Sequence, residues 1–272
     1  MTVRVTWFGW STFRLDVPGG PSVVLDPCVT PLLADPHATL ADVAGADLFL
    51  LTHGHHEHIK DVPALARRMP DTELIAPAQV REYLVGIRRL GRDRVGLAQP
   101  DRTLRWRGLS ITPRAFPHLG KHDVGGKLAI LRRDNPAGAA WIALRYGPRI
   151  ARTWLQIREQ PEFGPFLAYD IEVAGRRVVF TCEAFTELID PDEVARWRGD
   201  RPVDLAVIGV ESGQEAAASR LTDVLGATQS VCCAVHAPFE RFYGKPVVDG
   251  QAWRGGRADR AVWVAGSSTT TQ

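Results

Sequence analysis

Between Val3 and Asp26 the chain alternates apolar and polar positions in short bursts, "VRVTWFG", "STFRLDV" and "PSVVLDP". Gly and Pro punctuate these bursts, which predicts three strands joined by turns. At 47–52, "DLFLLT" abandons alternation for an unbroken apolar run, the pattern of a strand buried on both faces. Helical spacing follows in "DVPALARRM" and "PAQVREYLVGIRRL", on either side of a short strand, "TELIAP". Strands return from about 102 to 117, ending at "ITPRAFPH". Residues 137–160 carry helical spacing, with Pro148 as a kink or break. "FLAYDIEVAGRRVVFTCEA" predicts a hairpin turning near Gly175. The helix "DPDEVARWRG", the strand "VDLAVIGV", a helix within "QEAAASRLTDVLG" and the strand "SVCCAVH" complete the series. Strands, then strand–helix alternation, then the same rhythm again, imply a layered α/β fold made of two similar halves. It is expected to form a single domain over 1–265, with a helical insertion at about 137–160 and a flexible tail at 266–272.

Composition narrows the class. The 272 residues are 45% hydrophobic, enough for a substantial core. Lys and Arg number 33 against 31 Asp and Glu, a net charge of +2 and too balanced for a nucleic-acid binder. The four cysteines, Cys28, Cys182, Cys232 and Cys233, form neither a CxxC pair nor a disulfide framework. No apolar run approaches the roughly 20 residues of a membrane span, and the opening residues lack a signal-peptide pattern. A cytoplasmic chain is expected, with a small-molecule partner and neither nucleic acid nor membrane.

Chemistry concentrates directly after the apolar run. "THGHHEH" places His53, His55, His56 and His58, four of the chain's eight histidines, within six positions. Imidazole is the commonest protein ligand for Zn, Fe and Mn, and a carboxylate is a natural co-ligand. Residues two apart at a strand end share a face, so His53 and His55 can address one ion. Glu57 and His58 can address a second point nearby. A solvated polar loop would explain one histidine here, but four in this space point to metal.

This stretch resembles the H-x-H-x-D-H signature of the metallo-β-lactamase superfamily, and most closely its L-ascorbate-6-phosphate lactonase-like branch. "TWFGWSTFRLD" resembles that branch's opening W-x-G-H-S-x-F turn, with Trp10 where a histidine is common. "VVLDP" resembles its I-D-P, with Asp26 as the acid beneath the metal site. The resemblance implies a four-layer αββα sandwich (the metallo-β-lactamase fold) and two divalent metal ions, Zn first, with Mn or Fe as alternatives. Site one would use His53, His55 and His118; site two would use Glu57, His58 and His236; Glu183 would bridge them. Glu57 and Glu183 both stand where the family has aspartate. Each keeps the charge and adds a methylene, which would change the metal preference, loosen site two or leave one site filled. Cys182, in place of a glycine beside the bridge, is either a soft ligand or a small buried residue. His56, on the opposite side of the turn from His55, is assigned to a supporting or surface position.

Glu57, Lys121 and His122 are the candidate catalytic residues. Lys121 is either a holder of an anionic substrate group or a solvated loop lysine, and His122 is a candidate proton donor to a leaving group. The 137–160 helix, with Trp141, Tyr146, Arg149, Arg152 and Trp154, is a lid, a contact in a homo-oligomer or a plain exterior helix. Phe239, Phe242 and Tyr243 either wall an apolar pocket or belong to the core. The expected activity is metal-dependent hydrolysis of a small-molecule ester, lactone or phosphodiester. The alternative is a non-hydrolytic metalloenzyme using iron or manganese in a redox, lyase or isomerase step. A binding protein with a degenerate metal site is the third reading.

Overall fold

The computed structural model describes residues 3–30, 38–117, 164–181, 190–210, 213–235, 261–264 and 270–271. It also describes 136–137, 140–141, 143–144, 147–148 and 151 of the intervening stretch. The chain opens with β1 (Arg4–Trp7), β2 (Phe13–Asp16) and β3 (Ser22–Leu25), the three expected strands. The apolar run forms β4 (Leu48–Leu50), preceded by a one-turn helix α1 (Leu40–Val43). Helices α2 (His56–Ile59) and α3 (Val62–Arg68), strand β5 (Glu73–Ala76) and helix α4 (Ala78–Glu82) follow. The helix expected over 77–90 widens into a π turn at Tyr83–Ile87. A short edge strand, β6 (Val95–Leu97), then closes the first half.

The second half holds β7 (Leu104–Trp106), β8 (Leu109–Ala115), β9 (Leu167–Val173) and β10 (Arg176–Thr181). It continues with α5 (Pro191–Arg198), β11 (Val203–Gly209), α6 (Glu215–Leu225) and β12 (Ala227–Cys233). The β9–β10 hairpin turns at Ala174 and Gly175, whose φ angles of 52° and 77° suit a two-residue turn with both central residues left-handed. Strands β13 (Ala261–Val264) and β14 (Thr270–Thr271) return to the first sheet. The tail expected to be loose therefore carries an edge strand, since β-branched threonines suit a pleated ladder. At the described positions of the 137–160 stretch the backbone is helical, and Trp141 and Leu144 are exposed. Tyr146, Arg149, Arg152 and Trp154 lie outside the described residues.

Two sheets result, ordered β14-β13-β1-β2-β3-β4-β5-β6 and β12-β11-β10-β9-β8-β7. β3 to β6 run parallel, as do β10 to β12. Strand alternation assigns each apolar residue to a layer. Val23, Leu25, Leu48 and Leu50 from the first sheet meet Leu109, Ile111, Tyr169, Phe180 and Leu205 from the second in a shared core. Val24, Phe49, Leu51 and Leu74 face outward onto Val62, Leu65, Val80 and Leu84 of the first helical layer. Val179, Ala206 and Ile208 face outward onto Val194, Trp197 and Leu221 of the second. Residues 48–51 are all apolar because the two faces of the strand look into two different cores. The architecture is an αββα sandwich.

One polar cluster interrupts the outer layer of the second sheet. Arg177 on β10 is buried and uses all five guanidinium donors. Its Nε and Nη2 bond both oxygens of Asp170 on β9, at 2.9 and 2.7 Å. Its remaining donors reach the carbonyls of Trp197, Arg198 and Arg201. Arg177 thereby supplies hydrogen bonds to the carbonyl end of α5, where a cation also suits the helix dipole.

Candidate metal centre

β4 delivers the histidine stretch at its carboxyl end, the usual location of ligand sites in parallel sheets. Asp26, at the corresponding end of β3, has a left-handed backbone with φ of 43°. Asp is among the few residues that tolerate that region, and the bend turns its carboxylate under the β4 loop. Asp26 Oδ1 accepts the Thr52 backbone N–H at 2.9 Å, and Oδ2 accepts the Thr52 hydroxyl at 2.6 Å. Asp26 Oδ2 also lies 2.7 Å from His58 Nδ1. Both side chains are wholly buried. The second sheet braces the same loop from the other side. Tyr169 Oη donates to the Leu51 carbonyl at 2.7 Å, and the Leu167 N–H donates to that of Thr52 at 3.0 Å.

On this support the ring nitrogens of His53, His55 and His58 come within 4.8 Å of one another. The His53 ring centroid is 4.4 Å from that of His55 and 4.0 Å from that of His58. Glu57 stands beside the group, with Oε1 3.9 Å from His55 Nδ1. The one-turn helix α2 explains the grouping: His55 is its N-cap, and His58 falls three residues on, at the cap's end of the same turn. His118, Lys121, His122, Cys182, Glu183 and His236 lie outside the described residues, as do Phe239, Phe242 and Tyr243.

The donor set suits a first-row divalent ion. Imidazole nitrogens are its preferred ligands here, and a buried carboxylate on the far nitrogen of a histidine is the usual support for such a ligand. Thiolate ligation from Cys28 is disfavoured, because burial pushes its thiol up to about 12.

Of the two positions expected for His56, the structure removes one. His56 is 4% exposed, so the surface alternative does not hold, and α2 carries it into the fold instead. Burial, then the nearby Lys60 and Arg88, pull its pKa down to about 4, so the ring is neutral near pH 7. Trp10 is also buried, with φ of 47°, and its carbonyl accepts the Trp7 indole N–H at 2.6 Å.

Several supporting residues escaped the sequence reading. Phe166 packs against His53 and His55, with centroids 5.1 and 5.8 Å away, and gives the cluster an apolar wall. Nothing near Phe166 in the chain signals this, since β9 brings it from the other half. Asp61 binds the N–H groups of Val29 and Thr30, both at 2.8 Å, and so ties the loop after Asp26 to the start of α3. Ser11, from the β1–β2 turn, places Oγ 3.1 Å from His58 Nδ1. A signal existed for Thr52, a hydroxyl residue directly before a strand-end histidine.

Residues 4–230 match the family model described as a beta-lactamase superfamily domain. The chain belongs to the metallo-β-lactamase superfamily. It is 37% identical over 84 residues to a UPF0173 metal-dependent hydrolase of Rubrobacter xylanophilus, covering 30% of this chain and 33% of that protein. Another UPF0173 metal-dependent hydrolase, from Methylobacterium nodulans, is 45% identical over 67 residues, covering 24% and 28%. The matched stretches thus span about a third or less of these relatives. Igni18, a metallo hydrolase from Ignicoccus hospitalis, superposes with a TM-score of 0.56 at 18% identity, covering 85% of this chain and 82% of that one. The metallo-beta-lactamase fold protein YhfI of Bacillus subtilis gives 0.52 at 15% identity, covering 89% and 91%. These structural likenesses establish the αββα fold of the superfamily. Among the described residues no helix is long and apolar enough to cross a membrane.

Proposed function

We propose that the chain is a metal-dependent hydrolase acting on an ester, lactone or phosphodiester bond of a small molecule. The observation that carries this reading is the convergence of His53, His55 and His58 at the end of β4, over the buried Asp26. The proposed ligands are His53, His55 and His118 for one ion and Glu57, His58 and His236 for a second, with Glu183 between them. A divalent metal bound there lowers the pKa of water toward about 7 and polarises the oxygen under attack.

The protein's own residues do the rest. Asp26 and Thr52 hold the imidazoles in place before the ion arrives, so little reorganisation remains at the moment of reaction. Phe166 keeps water from one side of the rings and lowers the local dielectric. Glu57, whose side chain is 16% exposed beside His55, is placed to orient the incoming water. Lys121 and His122 follow His118 in sequence and are proposed to meet the anionic part of the substrate and the leaving group. The near-neutral charge of the chain disfavours a nucleic acid as that substrate.

Metal analysis of protein purified without chelator, followed by assay on a panel of esters, lactones and phosphodiesters, tests the proposal. Bound zinc, with turnover of at least one class that a chelator removes, is the expected result. Absence of any transition metal would sink it. Two irons with no hydrolysis would favour the non-hydrolytic reading, for which the paired Glu57 and Glu183 are the specific motive.

A further inference from the structure

A proton count at the end of β4 assigns a role to Thr52. The Asp26 carboxylate accepts three hydrogen bonds, from the Thr52 backbone N–H, the Thr52 hydroxyl and His58 Nδ1. Thr52 has one hydroxyl proton, and at 2.6 Å from Asp26 Oδ2 that proton is committed to the carboxylate. Only lone pairs remain on Thr52 Oγ1. His53 Nδ1 lies 2.9 Å from that oxygen, so His53 Nδ1 must be the donor. By the same reasoning His58 carries its proton on Nδ1, facing Asp26, with Ser11 Oγ at 3.1 Å and Thr52 Oγ1 at 3.4 Å as further neighbours. In both rings the lone pair is left on Nε2.

We propose that Thr52 is a positioning residue whose hydroxyl relays the charge of Asp26 to His53. One buried carboxylate then sets the tautomers of two histidines, His58 directly and His53 through Thr52. The backbone makes this relay stiff. The Thr52 N–H is held by Asp26 Oδ1 and its carbonyl by the Leu167 N–H, so the residue is pinned at both ends. β-Branching further restricts its side chain to few rotamers. His55 Nδ1 faces Glu57 at 3.9 Å.

The consequence for metal affinity rests on the proposed ligand role of these histidines, whereas the tautomers themselves do not. The test begins with full-length, chelator-treated protein, labelled with 15N and read by long-range imidazole correlations. His53 and His58 should both show the Nδ1–H form. Thr52→Val, which keeps the shape and deletes the hydroxyl, should release His53 toward the Nε2–H form and leave His58 unchanged. Thr52→Ser should restore His53. Zinc affinity, read by competition with a chromophoric chelator, should fall about 10- to 100-fold in Thr52→Val and recover in Thr52→Ser. An Nε2–H tautomer at His53 in the unaltered protein overturns the proposal, and that spectrum decides even if Thr52→Val does not fold. So does a Thr52→Val protein with unchanged tautomer and affinity. If tautomers shift as described but zinc binds no variant, the relay stands and the metal-hydrolase reading fails.

Discussion

His53→Ala is expected to lose bound metal and turnover together. His53 is the centre of the cluster, since its ring lies closest to both His55 and His58 and only 2% of the residue reaches solvent. Its removal takes away one of the three imidazoles proposed for the first ion, and among the described residues leaves the rings of His55 and His58 with centroids 6.3 Å apart. His55 and His118 alone would give the first ion one protein ligand fewer than the three a catalytic site keeps. Metal-assisted hydrolysis depends on several kcal/mol of charge stabilisation from the ion, so its loss lowers turnover by about a thousandfold or more. Metal content by mass spectrometry, measured beside activity, checks both halves of the expectation. His56→Ala supplies the control: His56 is buried one residue from His55 yet stands outside the group of converging nitrogens. That variant should keep its metal. Full metal content in His53→Ala would contradict the ligand assignment.

The largest expected effect on stability lies far from the histidines, at Arg177. Replacing it with methionine keeps an unbranched apolar stem about as far as Nε and removes all five donors. Among the described residues, Asp170, 5% exposed, would be left with only Arg114 Nη2 at 3.4 Å, and the carbonyls of Trp197, Arg198 and Arg201 would lose their shared partner. Breaking a buried pair from one side costs about 3–5 kcal/mol, because a buried charge is stranded. For a chain of this size each kcal/mol lowers the melting temperature by roughly 2–4 °C. Removing the stranded charge as well, in Arg177→Met with Asp170→Leu, should recover part of that loss, as coupled neighbours do. Thermal denaturation of the three proteins measures this, and a double variant less stable than the single one would contradict it.

The sequence was most legible where burial is uniform. Leu48 to Leu51 announce a central strand because Leu48 and Leu50 enter the inter-sheet core while Phe49 and Leu51 enter a helical layer. The histidine cluster was legible because its members are neighbours in the chain. What joins distant segments was not. Phe166 reaches His53, and Tyr169 reaches Leu51, only because β9 packs across from the other half. Helix α2 stayed hidden because a polar, histidine-rich turn reads as loop, so the choice between a supporting and a surface position for His56 stayed open. The hairpin around Gly175 was legible, but not that α5 covers its outer face and makes Asp170 and Arg177 a buried pair.

The imidazoles at the end of β4 are expected to hold a metal, His53 through its Nε2. A crystal structure of the zinc-loaded protein, with anomalous diffraction collected at the zinc edge, tests it most directly. The expected result is an anomalous peak about 2.0–2.1 Å from Nε2 of His53, with the Asp26 contact to His58 Nδ1 retained. A loaded crystal with no peak at this cluster, or with the ion on Nδ1 of His53, would contradict it.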